Sequence, residues 1–173
     1  VIFKVEKLNT HGGSLRIYVK NKEHKEIIID KSFKIIYQKE IRSHIFKKYK
    51  MLKFREKLKV TKDNFINLLI NLRLKKKKIV AYGAAAKGNT FLNYCNIGNS
   101  LIDFVVDRNP SKINKFLPGS HLKIFSIDKL KTLSPDYIVI LPWNLKNEII
   151  KQIKSSKLKT KFITAIPKIT INN

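Results

Sequence analysis

Cysteine is nearly absent from this sequence, in which Cys95 is the only one among 173 residues. A chain with one cysteine forms no internal disulfide and cannot bind zinc through a cysteine cluster. We expect Cys95 to be a small buried apolar group rather than a reactive thiol. His24, His44 and His121 have no metal-ligand spacing among themselves, so we predict no metal site. This composition is typical of a cytoplasmic protein.

Long apolar runs are missing as well. No stretch approaches the roughly 18 consecutive apolar residues of a membrane span. The start at Val1 shows no charged leader followed by a signal-type apolar segment. We therefore expect neither a membrane protein nor a secreted one. The sequence has no initiator Met and opens on a strand-like pattern, which suggests a fragment.

Acidic residues and arginine are scarce. The chain has 37 Lys and Arg against 12 Asp and Glu, a net charge of +25, and only five of the basic residues are arginine. A cationic surface gathers phosphates, but nucleic-acid recognition favours the planar arginine fork. The lysines are also spread along the whole chain. We interpret most of them as solvated surface residues. A nucleic-acid role is therefore not favoured, and an acidic small molecule or protein partner stays open.

The first 78 residues predict a hairpin and two helices. Residues 2–8 and 15–19 are short β-rich runs that flank a loop with two glycines. Ser32 is a predicted N-cap, and apolar side chains at three- and four-residue spacing from Phe33 to about Leu58 predict a long amphipathic helix. Thr61 is the predicted N-cap of a second helix that ends in the Lys75 to Lys78 run.

From Ile79 onward, predicted strands alternate with predicted helices. The strands are expected at 79–82, 102–106, 137–141 and 162–166, with helices from the glycine loop to about Asn96, at 126–133 and at 145–155. This alternation predicts an α/β fold, a Rossmann-like and mostly parallel sheet with flanking helices, preceded by a β-hairpin and two helices.

A glycine loop, Gly-Ala-Ala-Ala-Lys-Gly at residues 83–88, directly follows the first of these strands. A P-loop needs Lys and then Ser or Thr after its second glycine, whereas Asn89 and Thr90 follow Gly88, so an ATPase is not favoured. The dinucleotide pattern fits better, with Gly83, Ala85 and Gly88 in place and Asp107 near the expected distance downstream. Two interpretations stay open: NAD binding, or small residues that only let the helix pack on the strand.

Four motifs then occur in order. They are Tyr-Gly-Ala-Ala-Ala-Lys-Gly-Asn-Thr (82–90) with Leu-Asn (92–93), Asp-Arg-Asn-Pro (107–110) with Lys112 and Pro-Gly (118–119), Pro-Asp-Tyr (135–137), and Leu-Pro-Trp-Asn (141–144). Together they resemble the C-terminal domain of S-adenosylmethionine-dependent sugar C-methyltransferases. The segment His-Gly-Gly-Ser-Leu-Arg (11–16) is similar to the end of that family's catalytic domain.

The resemblance implies a domain organisation. A full-length enzyme of this kind has a cysteine-rich zinc-binding region, a methyltransferase domain and this Rossmann-like domain, and it methylates a ring carbon of a nucleotide-linked deoxy keto-sugar. In this chain, residues 1–30 would be terminal strands of a missing methyltransferase domain plus a linker. Residues 31–78 would be a helical segment and 79–173 the Rossmann-like domain.

The chain departs from the family pattern in what it lacks. The zinc cysteines, the glycine-rich S-adenosylmethionine loop and a Tyr-His-Glu-His stretch do not occur in it. The resemblance therefore implies S-adenosylmethionine in the full-length enzyme, with its site outside this chain, and no cofactor in this chain. The missing methyltransferase domain would be joined in cis or act as a partner chain, and we expect the isolated chain to be inactive.

Candidate site residues follow from the loop and the strand ends. The helix start after the glycine loop is a favourable place for an anion such as a diphosphate. His11, in a glycine-flexible loop, is the one candidate for direct chemistry, although a turn role is the simpler explanation. The predicted substrate-binding residues are Gly83, Ala85, Lys87, Gly88, Asn89, Asp107, Arg108, Trp143 and Asn144. The function favoured by the sequence is to bind a nucleotide-sugar substrate, and the alternative is a stand-alone nucleotide- or NAD-binding module.

Overall fold

The computed structural model of the protein describes residues 1–173, which divide into two units, 1–57 and 58–173. In the first unit, strand β1 (Ile2–Leu8) pairs antiparallel with β2 (Ser14–Val19), as predicted. A short 3-10 turn, Thr10–Gly12, joins the two strands. One side of this hairpin carries a polar cluster, in which Glu6 accepts a hydrogen bond from the Tyr18 hydroxyl at 2.8 Å.

The other side of the hairpin is apolar and only partly covered, because Leu15 and Ile17 face Phe33 and Tyr37 of the following helix across a cavity of about 100 Å³. Val5 is the single hydrophobic residue of the first unit that is buried. On β2, Leu15, Ile17 and Val19 are 46%, 51% and 66% exposed. The hairpin therefore presents an apolar face without a complete core of its own.

Helix α1 (Lys31–Ser43) begins one residue earlier than its predicted cap. Asp30 is the N-cap, and its Oδ1 accepts a hydrogen bond from the Ser32 amide at 2.7 Å. The prediction of Ser32 as the cap was therefore wrong. The Ser32 hydroxyl instead accepts a hydrogen bond from the Val5 amide at 3.2 Å, which ties the start of α1 to β1.

The break between the two long helices also lies elsewhere than predicted. Helix α1 ends at His44, whose φ of 54° is left-handed and whose amide donates to the Ile41 carbonyl at 3.0 Å. Helix α2 (Lys48–Leu74) then runs without interruption through Thr61. The predicted cap at Thr61 was wrong because neither glycine nor proline lies near it to stop a helix.

The second unit contains a six-stranded sheet. Its strands are β3 (Ile79–Tyr82), β4 (Val105–Val106), β5 (Ile124–Phe125), β6 (Tyr137–Ile140), β7 (Lys161–Thr164) and β8 (Thr170–Asn172), in the spatial order β5-β4-β3-β6-β7-β8. All neighbouring pairs are parallel except β7 with β8. The helices between them are α3 (Ala86–Tyr94), α4 (Lys129–Leu133) and α5 (Lys146–Ser155).

This architecture confirms the predicted fold class, an α/β protein with a Rossmann-like, mostly parallel sheet, and adds two strands to it. Strands β5 and β8 are two and three residues long, too short for a recognisable alternation of side chains. The expectation that 162–166 is the last strand was therefore wrong. The predicted strand at 102–106 is also shorter, since only Val105 and Val106 pair.

The core of the second unit lies on both faces of the sheet, because successive side chains of a strand point to opposite sides. On β3, Ile79 and Ala81 face α2 and α3, whereas Val80 and Tyr82 face α4 and α5. On the first face, α2 contributes Phe65, Leu69 and Leu72. On the second face, Phe162 of β7 is fully buried beside residues of α5.

We expect Phe162→Ala to lower the free energy of unfolding of the second unit by about 3–5 kcal/mol, because a large ring leaves a cavity in a packed core. The matched control is Phe116→Ala, in the same unit but 57% exposed, which should change stability by less than about 0.5 kcal/mol. Urea unfolding followed by circular dichroism measures both variants. Equal effects of the two would contradict the core assignment.

Candidate functional site

The strand order places a crevice at the carboxyl ends of β3 and β6. If the strands of the second unit are numbered from one, their spatial order is 3-2-1-4-5-6. The side to which successive strands are added therefore reverses between β3 and β6. Ligands of open α/β sheets bind outside the carboxyl ends of the strands at such a switch point. The glycine loop follows β3, and residues 141–144 follow β6, so the two strongest motifs meet at this edge.

Gly83 and Gly88 are required by the way the chain packs on itself. Gly83 has a φ of +87°, and a Cβ built there would lie 2.6 Å from Pro142 Cδ. A Cβ on Gly88 would overlap the Cβ of Leu141. Gly83 therefore allows the tight turn after β3, and Gly88 allows α3 to pack closely on the segment after β6. These are the roles of the first and third glycines of the dinucleotide pattern.

The first turn of α3 has amides without acceptors. Its N-cap, Ala85, offers no side-chain hydrogen bond, and the amides of Ala86, Lys87 and Gly88 have no acceptor in the chain. Unpaired first-turn amides and the helix dipole make a helix start electropositive. The Lys87 ammonium adds a full charge to that turn.

Lys87 is held by the segment after β6. Its Nζ donates a hydrogen bond to Asn144 Oδ1 and lies 4.9 Å from the centroid of the Trp143 ring. The Trp143 ring in turn meets Phe91 of α3 edge-on, with centroids 6.5 Å apart. Three of the predicted residues are thus in direct contact, and the Trp143 ring packs partly into the core.

Asn89 has a buried oxygen without a partner. Its Oδ1 lies out of reach of solvent and accepts no hydrogen bond from the chain. Buried polar atoms in proteins nearly always have a partner, so an unpaired acceptor calls for a donor.

Asp107 is engaged with backbone rather than open to solvent. Its Oδ2 accepts from the Ala84 amide at 2.6 Å, its Oδ1 from the Asn109 amide at 2.8 Å, and its side chain is 13% exposed. Lys112 lies 3.7 Å from the same carboxylate and donates to the Ala84 carbonyl at 2.9 Å. The Asp-Arg-Asn-Pro motif therefore folds into a turn that returns Lys112 to the glycine loop.

A cavity of about 210 Å³ adjoins the loop. The predicted residues among its lining are Gly83, Ala85, Asp107 and Arg108. The lining is completed by residues that the sequence did not predict to bind substrate: Tyr82, Lys112, Pro142, Leu145, Glu148, Ile149 and Gln152. Tyr82, Lys112 and Pro142 lay in the recognised motifs, whereas the residues of α5 reach the cavity through tertiary packing alone.

A hydrogen-bonded group forms one side of this cavity. Gln152 Oε1 accepts from the Tyr82 hydroxyl at 3.3 Å and from Arg108 at 3.4 Å. Burial raises the pKa of the Tyr82 phenol above its usual range, so the hydroxyl stays protonated and remains a donor. Arg108 pairs with Gln152 and not with Asp107.

The remaining candidates lie elsewhere. His11 belongs to the hairpin loop of the first unit, where its φ of 54° and exposed side chain fit a turn. Cys95 is 2% exposed at the end of α3, and burial raises the pKa of its thiol to about 11, which makes it a poor nucleophile at neutral pH. No group of three or more His, Cys, Asp or Glu is placed to bind a metal ion. None of the helices has the length and apolar content that a membrane crossing requires.

Comparison with known proteins gives this geometry a context. The profile of the C-methyltransferase C-terminal domain family matches residues 9–167, nearly the whole chain. The chain belongs to this family. The resemblance predicted from the four motifs is thereby confirmed, and the match includes the hairpin loop as well as the Rossmann-like unit of this C-methyltransferase C-terminal domain.

Two similar proteins are known in more detail. The chain is 37% identical over 92 residues to the C-methyltransferase NovU of Streptomyces niveus, an alignment that covers 53% of this chain and 22% of that protein. Most of that relative therefore lies outside the match. The crystal structure of UDP-D-quinovosamine 4-dehydrogenase from Vibrio fischeri is similar at a TM-score of 0.40 and 19% identity, over 53% of this chain and 79% of that one. Similarity at that level carries no argument about function.

We expect Gly88→Ala to destabilise the second unit by about 1–3 kcal/mol, because the new methyl group overlaps Leu141 and must push α3 from the sheet. Gly98→Ala is the matched control: its Cβ would lie 3.6 Å from the Ser120 carbonyl oxygen, an ordinary contact. Urea unfolding of both variants tests this. A Gly88 variant as stable as the control would show that the close approach is not required.

Proposed function

We propose that this chain is the C-terminal, substrate-binding part of an S-adenosylmethionine-dependent C-methyltransferase that acts on a nucleotide-linked deoxy keto-sugar. The observation that carries the proposal is the family match over residues 9–167. The similarity to a protein named as a C-methyltransferase supports the reaction class. The substrate class rests on the chemistry of the crevice between β3 and β6.

The start of α3 is the proposed site for the diphosphate. Three amides without acceptors, at Ala86, Lys87 and Gly88, point away from the helix at its positive end. Lys87 supplies a charge that the contacts with Trp143 and Asn144 keep in place. Because this site uses backbone and one fixed cation, it suits an anionic group of modest size without needing an arginine fork.

The polar groups around the loop suit the remainder of a sugar nucleotide. Because the Oδ1 of Asn89 is buried, its side-chain N–H group is the part proposed to donate a hydrogen bond to a sugar or phosphate oxygen. The cavity beside Arg108 and Gln152 offers both donors and acceptors to the nucleoside. The exposed part of the Trp143 ring provides an apolar surface at the rim.

The cofactor and the catalytic base belong, in this proposal, to a segment outside the chain. S-adenosylmethionine supplies an electrophilic methyl group when it is bound. A Rossmann-type adenosine site holds the ribose hydroxyls with a free carboxylate after its second strand. Both oxygens of Asp107 already accept backbone amides, so the residues of this unit do not fit that cofactor. Within the chain, His11 is the only candidate for direct chemistry. Because the cofactor site and the catalytic base are assigned to another segment, we expect the isolated chain to be inactive.

Residues 1–30 are proposed to complete the sheet of the missing methyltransferase domain, with 31–78 as the connecting helical segment. Three side chains of β2 are 46–66% exposed on one face, although their apolar type is that of a sheet interior. The outer edge of β2 has no strand paired to it. An unpaired strand edge with an apolar face is the kind of surface that a further strand covers.

Isothermal titration calorimetry tests the substrate assignment. We expect a thymidine-diphosphate deoxysugar to bind this chain, and S-adenosylmethionine and NAD to give no heat of binding. Lys87→Met should lower the affinity for the sugar nucleotide by about tenfold, because a charge-assisted contact is lost. Lys123→Met is the matched control, since Lys123 also lies over a ring, at 5.2 Å from Phe125, but at the amino end of β5.

Two outcomes would contradict the proposal. Tight NAD binding without sugar-nucleotide binding would favour the stand-alone dinucleotide module. Absence of binding by all three ligands would leave the glycine loop as a packing device only.

Hydrogen exchange of the isolated chain tests the domain assignment. We expect the amides of β1 and β2 to exchange at least a hundredfold faster than those of β3 and β6, because a two-stranded hairpin with one buried apolar residue is marginally stable. Equal protection would show that the hairpin is self-sufficient and would count against its being part of a larger sheet.

A further inference from the structure

We propose that Asp107 and Lys112 are positioning residues that fix the glycine loop and make the site selective for a diphosphate without an adenosine ribose. The inference rests on the proposed function for its ligand and on the geometry of the loop for its cause. In the dinucleotide pattern the acidic residue after the second strand binds the ribose hydroxyls. In this structure the corresponding carboxylate binds the protein itself.

Both oxygens of the Asp107 carboxylate are occupied by backbone amides. Oδ2 of Asp107 accepts from the Ala84 amide at 2.6 Å, and Oδ1 accepts from the Asn109 amide at 2.8 Å. The side chain is 13% exposed. A ribose needs two adjacent hydroxyls to reach one carboxylate from solvent, and this carboxylate presents little of either oxygen to a ligand.

Lys112 holds the glycine loop from the same side as Asp107. Its Nζ donates to the Ala84 carbonyl at 2.9 Å and lies 3.7 Å from Asp107 Oδ2. Ala84 is thus held at both its amide and its carbonyl by the loop after β4. The ammonium also offsets the negative charge of Asp107, which would otherwise repel an anion at the nearby start of α3.

The turn after β4 brings Asp107 and Lys112 to the glycine loop. Asn109 donates its amide to Asp107, and Asn109 Oδ1 accepts from the Ser111 amide at 3.0 Å and from the Ser111 hydroxyl at 2.8 Å. These side-chain contacts close a tight turn that returns the chain toward β3. Lys112 reaches Ala84 only because the turn reverses the chain there.

The consequence is a loop that is ordered before a ligand arrives. The Gly83 amide donates a hydrogen bond to the Val106 carbonyl at 2.7 Å, and Ala84 is held by hydrogen bonds with Asp107 and Lys112. The free amides of Ala86, Lys87 and Gly88 are therefore presented in a fixed direction. Ordering a binding loop in advance removes an entropic cost from binding.

Asp107→Asn and Lys112→Met test the proposal, with Lys112→Arg as the conservative variant. The matched control is Asp136→Asn, because Asp136 likewise accepts from a backbone amide, that of Lys78 at 2.8 Å, and from a lysine, Lys77 at 3.0 Å, but at the amino end of β6. Two quantities are measured for each variant: hydrogen exchange of the amides of residues 84–88, and calorimetric affinity for thymidine diphosphate and NAD.

We expect Asp107→Asn and Lys112→Met to speed hydrogen exchange of the Ala84 amide at least tenfold. Both should lower the affinity for thymidine diphosphate at least fivefold. The urea midpoint of unfolding should stay close to that of the wild type. Lys112→Arg should restore both quantities, and Asp136→Asn should change neither. A general loss of structure would not be rescued by arginine, so rescue separates positioning from stability.

Unchanged exchange at Ala84 in Asp107→Asn would overturn the inference, as would NAD binding by the wild type that this substitution abolishes, since Asp107 would then contact a ribose. The exchange measurement needs no ligand. If the wild type failed to bind thymidine diphosphate, the proposed function would fail, while the exchange data would still decide whether Asp107 and Lys112 fix the loop.

Discussion

The close approach of α3 to the segment after β6 is the constraint on which the candidate site depends. Gly88 faces Leu141 with no room for a methyl group, and Gly83 faces Pro142 in the same way. Because α3 lies this near the sheet, its first turn opens directly at the carboxyl edge, where Trp143 and Asn144 reach Lys87. A side chain at either glycine would move the helix start away from the residues that complete the site.

Charge has two roles in this protein. Most of the 37 basic residues are lysines spread along the whole chain, and against only 12 acidic residues they set the net charge of +25. A few are fixed by geometry. Lys87 is held over Trp143, Lys112 bridges the glycine loop and Asp107, and Lys77 pairs with Asp136 at the amino end of β6. There the amide of Lys78, and then the neighbouring lysines, hold the pKa of Asp136 below its usual range. The pattern of fixed contacts, rather than the total charge, distinguishes the site.

The elements that sequence predicted well are those whose signal is local. A buried run such as residues 79–82 and an amphipathic period such as that of α5 are visible in a few residues. Two helix ends were misplaced. Ser32 and Thr61 are residue types that cap helices, but Asp30 is the N-cap of α1, and α1 ends at the left-handed His44. Strands β5 and β8 are defined by their pairing with β4 and β7. Two or three residues are too few to show a strand-like alternation of side chains in the sequence.

The fold class, the family and the position of the glycine loop could be predicted from the amino-acid sequence, because periodicity and motif order are properties of neighbouring residues. The sequence also placed Lys87, Trp143 and Asn144 at strand ends, but their mutual contact required the parallel pairing of β3 with β6. Three features arise from the folded chain alone: Asp107 accepts from the Ala84 amide, Gln152 of α5 accepts from Tyr82 and Arg108, and the Asn89 oxygen has no donor. Those facts depend on which groups from distant segments are brought within hydrogen-bond distance, and no local pattern encodes that distance.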